Sequence, residues 1–266
     1  MEKIKGTTVE LDILEQGKIA LVTLNRPEVL NTLNTQLAMD LGKVVDHMKD
    51  DETIRAVILT GKGRAFCAGG DLEEFSGAAD PKQFLRDLVD IVHKNILKAR
   101  LMNAPWIAAI NGPCFGVGLS LACSCDFRVA SEKAKFRVAF TGVGLTPDSS
   151  LPYYLPRIVG LTKATEMIML NDVLSAEEAL KIGLLNKVTE QEKVEDDSLS
   201  LARKLAEMPT FALGMDKKML DFCFCQTLEA HLDLERECLG ESGGTGDFQE
   251  GCRAFFERRK PDFKGR

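Results

Sequence analysis

The chain has 266 residues, 45% of them hydrophobic and 28% charged, and a formal net charge of −6. Those proportions are ordinary for a globular protein, and a chain this long buries roughly three quarters of its unfolded surface without help from disulfides or a structural metal. The acidic balance argues against nucleic acid as the main partner, because the phosphate backbone demands a basic face, and no apolar run reaches the ~18 residues needed to span a membrane.

The opening stretch Met1-Glu2-Lys3-Ile4-Lys5 leads into an alternating segment rather than an apolar leader, so a cytoplasmic setting is expected. Residues 9–13 alternate and residues 19–24 form a short β-branched run, which predicts two strands joined by a turn at Gln16-Gly17. From Thr35 the apolar positions Leu37, Leu41, Val44, Val45 and Met48 recur at helical spacing. Residues 56–60 predict a buried strand, 81–101 a helix, 106–110 a second buried strand, 116–124 an apolar helix and 127–130 a further strand. Strand, helix and strand alternating in this way predict a largely parallel sheet with helical crossovers. Beyond Leu151 the signal turns almost entirely helical, with a capping box at Ser175-Ala-Glu-Glu178 and helices over 193–207, 210–222, 228–239 and 247–258. The expected organisation is an α/β core over residues 1–195 and a helical C-terminal region over 196–266.

Eight cysteines are present. Cys123/Cys125 and Cys223/Cys225 stand one residue apart, which is poor zinc-ligand spacing, so they read as reduced thiols and no metal is expected.

Two glycine-rich segments carry the chemical information: Ala65-Phe-Cys-Ala-Gly-Gly-Asp-Leu72 and Asn111-Gly-Pro-Cys-Phe-Gly-Val-Gly-Leu119. Each follows a buried strand, and the second opens into a helix whose first amides lack intrahelical acceptors and sit at the positive end of the dipole. That suits an anion, whether a phosphate or an enolate oxygen. The same turns would also serve as tight connections in an α/β fold. A dinucleotide fingerprint is disfavoured, because the third glycine position is Leu121.

These turns, together with Arg26-Pro27-Glu28 and Leu30-Asn31, resemble the enoyl-CoA hydratase/isomerase (crotonase) superfamily, and Pro156-Arg-Ile-Val-Gly160 and Leu174-Ser-Ala-Glu-Glu-Ala179 keep the same register. The resemblance implies a spiral of ββα units with a C-terminal helical trimerisation region. It also implies an acyl-CoA thioester as substrate, no separate cofactor since coenzyme A is part of that substrate, and a homotrimer or hexamer. It places the oxyanion-binding amides at Gly70 and Val117, and substrate contacts at Arg26, Val29, Ala68, Asp71, Leu72, Gly116 and Phe140. The two glutamates that hydratases of the family use correspond to Ser120 and Phe140, neither of which is a carboxylate.

One carboxylate stands in the right region, Asp148, in Gly144-Leu-Thr-Pro-Asp-Ser-Ser150. Locally it reads equally as a cap for a helix beginning near Leu151. The stretch Leu145-Thr-Pro-Asp148, with Tyr154-Leu-Pro-Arg157 and Leu232-Asp-Leu-Glu-Arg236, resembles the ring-1,2-epoxyphenylacetyl-CoA isomerase and Δ3,Δ2-enoyl-CoA isomerase group, where the matching aspartate shuttles a proton. The paired glycines that follow that aspartate there are Ser150 and Leu151 here. The expected reaction is double-bond migration through a thioester enolate, in fatty-acid or aromatic-acid metabolism. The alternatives are hydration, an aryl-CoA dehalogenase-like reaction through Asp148 with His93 as base, or a non-catalytic binding role.

Overall fold

In the computed structural model of the chain, residues 8–266 and the backbone of Lys3–Lys5 are described. Met1 and Glu2, part of the opening stretch read above, lie outside the described residues.

Strands β1 (Lys3–Lys5), β2 (Val9–Leu14) and β3 (Ile19–Leu24) form an antiparallel run, and the chain reverses between the last two through Glu15, Gln16 and Gly17, all at positive φ. β3 then pairs in parallel with β4 (Ala56–Gly61), β4 with β5 (Trp106–Ile110) and β5 with β7 (Phe127–Ser131); β6 (Cys114–Phe115) lies outside this sheet. β8 (Lys135–Arg137) and β9 (Leu174–Ser175) join β6 in a second sheet, while β10 (Lys187–Thr189) adds a parallel edge to β7. The sequence signal missed β9 and β10, because two or three residues are too few to show a period of two.

The apolar runs of β4 and β5 are buried on both faces, as parallel strands with cover on each side must be. Val57 and Leu59 face the larger core, with α1 (Thr35–Met48), α2 (Leu72–Gly77), α3 (Pro81–Leu101) and α4 (Val117–Ser124) on that side. Ile58 and Ile107 face the other side. There they meet Val194, Ala202, Leu205 and Ala206 from a helix that follows α5 (Leu151–Val159), α6 (Leu161–Leu170) and α7 (Ala176–Lys181), namely α8 (Val194–Ala206). The division at 195/196 therefore falls within a helix that closes the sheet. Each such buried aliphatic side chain contributes about 1.5–3 kcal/mol.

α9 (Thr210–Phe222), α10 (Leu228–Gly243) and α11 (Gly246–Glu257) complete the chain. α9 is fastened by Arg100 at the end of α3, which bridges Asp126 at 2.5 Å and Asp221 at 3.0 Å. Among the described residues no helix is long and apolar enough to cross a membrane.

The repeating path is main-sheet strand, short second strand, helix. Residue 67 bridges Cys114 of β6, which pairs with Phe136 of β8, which pairs with Leu174 of β9. This row sets the two glycine-rich turns side by side. A Cβ on Gly118 would lie 2.2 Å from the Cys67 carbonyl oxygen, so α4 reaches the neighbouring turn only because that residue is glycine.

α5 begins unusually. Ser149 and Ser150 both take left-handed backbone, with φ of 51° and 69°, and the N-cap residue Ser150 makes no side-chain cap bond. Its hydroxyl is buried and unpartnered among the described residues. Ser150→Gly removes both penalties at the expense of a freer unfolded chain. Stability is expected to rise by about 1 kcal/mol. A urea denaturation midpoint that fails to rise would show that the loop absorbs the strain.

Candidate active site

The two turns and the loop before α5 enclose a cleft of about 110 Å³. Gly69 (φ 119°) and Gly116 (φ 53°) each hold a conformation that side-chain-bearing residues resist. Each stands one residue before an amide bordering the cleft, that of Gly70 or Val117. Neither amide donates a hydrogen bond among the described residues, although the flanking amides do: Asp71 N–H to Leu33 C=O at 2.9 Å and Gly116 N–H to Arg137 C=O at 3.1 Å. Val117 heads α4, so its amide also carries the partial positive charge of the helix start. Two backbone donors without an acceptor among the described residues thus border the cleft.

The remaining walls are hydrocarbon. Phe75 of α2, Leu88 and Val92 of α3, and Phe140 and Leu145 line the cleft, and among the described residues Asp148 is its only titratable side chain. Asp148 does not cap α5: its carbonyl accepts from Leu151 N–H at 3.0 Å, while Oδ1 is buried and unpartnered. The capping alternative is thereby removed. Burial raises the Asp148 pKa above the ordinary carboxylate value of 3.8, partly offset by the Ser149 hydroxyl and by the charge of His93.

Of the residues expected from sequence, Gly70, Val117, Asp148, Ala68, Leu72, Gly116 and Phe140 meet at this cleft. Arg26, Val29 and Asp71 do not line it. Arg26 and Asp71 instead hold each other at 2.9 Å, both largely buried, and Arg26 also donates to the Thr32 carbonyl. Asp71 further caps α2. The pair fixes the turn that carries Gly70. Val29 sits on the surface, 39% exposed. His93 lies exposed on α3 and does not line the cleft. Lys62, in the loop after β4, pairs with Glu10 at 3.0 Å. Burial pushes the Cys67 thiol up to about 11, in keeping with a packing role.

Phe75, Leu85 and Leu88 line the cleft, whereas Phe84 packs behind Phe75 with ring centroids 5.9 Å apart and Glu74 accepts from Thr35 N–H. Val143 and Leu145 were not anticipated, since a short irregular stretch has no periodicity to mark its inward side.

Residues 15–266 match the family described as enoyl-CoA hydratase/isomerase. The chain is 39% identical to the 1,2-epoxyphenylacetyl-CoA isomerase of Escherichia coli over 96% of its own length and 98% of that protein's. It is 36% identical to a probable enoyl-CoA hydratase of Rhodobacter capsulatus, covering 97% and 98% of the two chains. The crystal structure of a putative enoyl-CoA hydratase from Streptomyces coelicolor superposes with a TM-score of 0.91 at 35% identity, over 97% of this chain and 94% of that one. The fold is accordingly the crotonase fold expected from the turns, and the protein belongs to the enoyl-CoA hydratase/isomerase family.

Proposed function

We propose that the protein moves a double bond in an enoyl-CoA thioester, from Δ3 to Δ2 or in a related ring isomerisation. The thioester oxygen is held by the Gly70 and Val117 amides, and Asp148 carries the proton. The observation behind this reading is the lone carboxylate of the cleft: among the described residues Asp148 is the only titratable group on a lining made otherwise of hydrocarbon, backbone and the Ser149 hydroxyl.

The carboxylate takes a proton from C2, and the electron pair left behind spreads onto the thioester oxygen and along the chain to C4. Two preorganised N–H donors stabilise the growing oxyanion, and losing one such donor typically costs about 3–4 kcal/mol in enzymes of this type of chemistry. The same carboxyl group then returns the proton at C4, leaving the double bond between C2 and C3. No water enters and no charge is left over. No separate cofactor is proposed, coenzyme A being part of the substrate.

Hydration is the second reading, supported by relatives named as hydratases, among them a short-chain-enoyl-CoA hydratase of Clostridium acetobutylicum at 35% identity. Product analysis separates the two: isomerisation gives trans-2-enoyl-CoA from 3-enoyl-CoA, whereas hydration converts 2-enoyl-CoA to a 3-hydroxyacyl-CoA. An oligomer, proposed as a homotrimer or hexamer, is supported by apolar side chains left exposed on α10 and α11, including Leu239, Phe255 and Phe256.

Asp148→Asn keeps the shape and removes the base, so isomerase kcat is expected to fall by about 10²–10⁴ while CoA-ester binding by calorimetry persists. A mutant with wild-type turnover sinks the assignment.

The raised Asp148 pKa has consequences of defined sign. The base works only when ionised, so kcat/KM falls as the pH drops through the folded-state value, and its acid limb lies above 3.8. In stability terms the fold favours the protonated form, so the ionised carboxylate is destabilising above the folded pKa and the penalty vanishes below the unfolded one. Asp148→Asn should therefore melt higher than wild type near neutral pH, with the gap closing as the pH approaches 4. A gap that widens on acidification would reverse the sign.

Among the described residues no cation lines the cleft. A neutral hydrocarbon acyl group fits it, and an acyl chain ending in a second carboxylate would bury an unpaired charge near Asp148. A kcat/KM lower by at least about 10²-fold is expected for an ω-carboxyl enoyl-CoA than for its methyl-ended counterpart, the difference being measured by steady-state kinetics. Equal values would place the acyl terminus outside this cleft.

A further inference from the structure

Ser120 stands on α4 one turn after Val117, fully buried and outside the cleft lining. Its Oγ donates to the Asp148 carbonyl at 3.1 Å. That carbonyl also accepts from Leu151 N–H at 3.0 Å, so two donors from different elements fix it.

The simpler reading is a helical serine satisfied by the carbonyl one turn back. Gly116 C=O is indeed 3.4 Å from Oγ, but this is the longer of the two contacts, and that carbonyl already accepts from Ser120 N–H at 3.1 Å. The hydroxyl is therefore directed across to the loop.

The loop has reason to need such a tie. Ser149 and Ser150 both occupy left-handed backbone without being glycine, a conformation that the surroundings must impose. Oδ1 of Asp148 has no partner among the described residues, and the hydroxyl that favours its ionised form is that of Ser149, the next residue on the same loop, so the carboxyl group moves with that loop. Its direction is set by its backbone, and the backbone is tied to α4 by Ser120.

We infer that Ser120 is a positioning residue that fixes the Asp148 carboxylate relative to the Val117 amide, so that proton transfer and oxyanion binding act on one substrate pose. The inference rests on Asp148 being the base. A base displaced by about 1 Å can lose as much as ~10²-fold in rate while binding is untouched, which gives the role a kinetic signature distinct from general stability.

Threonine and valine have the same shape and differ in the hydroxyl. Ser120→Thr is expected to retain kcat within about threefold of wild type, while Ser120→Val loses roughly 10–100-fold in kcat, with KM for the enoyl-CoA moving less than about threefold in either. Equal kcat in the two variants overturns the inference. If the added methyl disturbs both, shown by lowered melting temperatures, Ser120→Ala decides. A fall in kcat with KM and melting temperature unmoved supports the positioning role, and an unchanged kcat overturns it. Failure of the underlying reading is separately visible, because Asp148→Asn would then remain active whatever Ser120 does.

Discussion

The close approach of α4 to the turn after β4 is the constraint on which the site depends. A Cβ at Gly118 would meet the Cys67 carbonyl oxygen, and one at Gly116 would come within 3.3 Å of the Gly69 Cα. Backbone thus packs on backbone, anchored by the bridge between Cys67 and Cys114. Two amides on segments separated by almost fifty residues consequently border one cleft through packing of backbone on backbone. This also explains why valine is acceptable at position 117. The unusual backbone conformation falls on Gly116, and Val117 begins an ordinary helix with its N–H free. The first turn is secured further by the Arg26–Asp71 ion pair, which ties the Gly70 segment to the loop after β3.

Around that fixed pair of donors the protein accepts local penalties. A carboxylate is held in a hydrocarbon cleft where burial favours its neutral form. The loop that presents it has two left-handed serines and an unpartnered buried hydroxyl. Each feature alone would be removed by a substitution that stabilises the fold. Found together beside the only ionisable group of the cleft, they follow the pattern in which strain and unsatisfied polar atoms concentrate where chemistry is done.

The parts of this arrangement that follow local rules were legible in the sequence. Helices α1, α3, α4 and α9 announced themselves by periodicity, caps and length, and the β4 and β5 runs by continuous β-branched burial. The two glycine turns were legible because positive φ leaves a chemical trace in the residue type. What the sequence hid was pairing between distant segments. Nothing around Arg26 in sequence shows that its partner is Asp71, forty-five positions on. Ser120 looks like a lost catalytic position until its hydroxyl is seen on a carbonyl twenty-eight positions away. Neither contact has a local signature, since both are made by the way the ββα units stack. The short helix α2 escaped for a different reason, as six residues within a glycine-rich stretch give no full period beyond the Asp71 cap.

The composition of the cleft also bears on which reaction its geometry favours. A water held in a protein needs two to four polar partners, and an apolar cavity otherwise stays dry. With a thioester oxygen on the Gly70 and Val117 amides, the polar side chains left on the lining are Asp148 and Ser149, which follow one another in the chain. A nucleophilic water would have to be held and activated from this one side, with no second carboxylate to share the task, because Ser120 is turned to the Asp148 carbonyl and Phe140 presents a ring. A proton shuttle has no such requirement. The carboxylate needs only to reach two carbons of the same chain, and hydrocarbon walls that exclude water keep the abstracted proton from exchanging before it is returned. These features of the lining are what support the proposed proton shuttle over the proposed alternative of adding water.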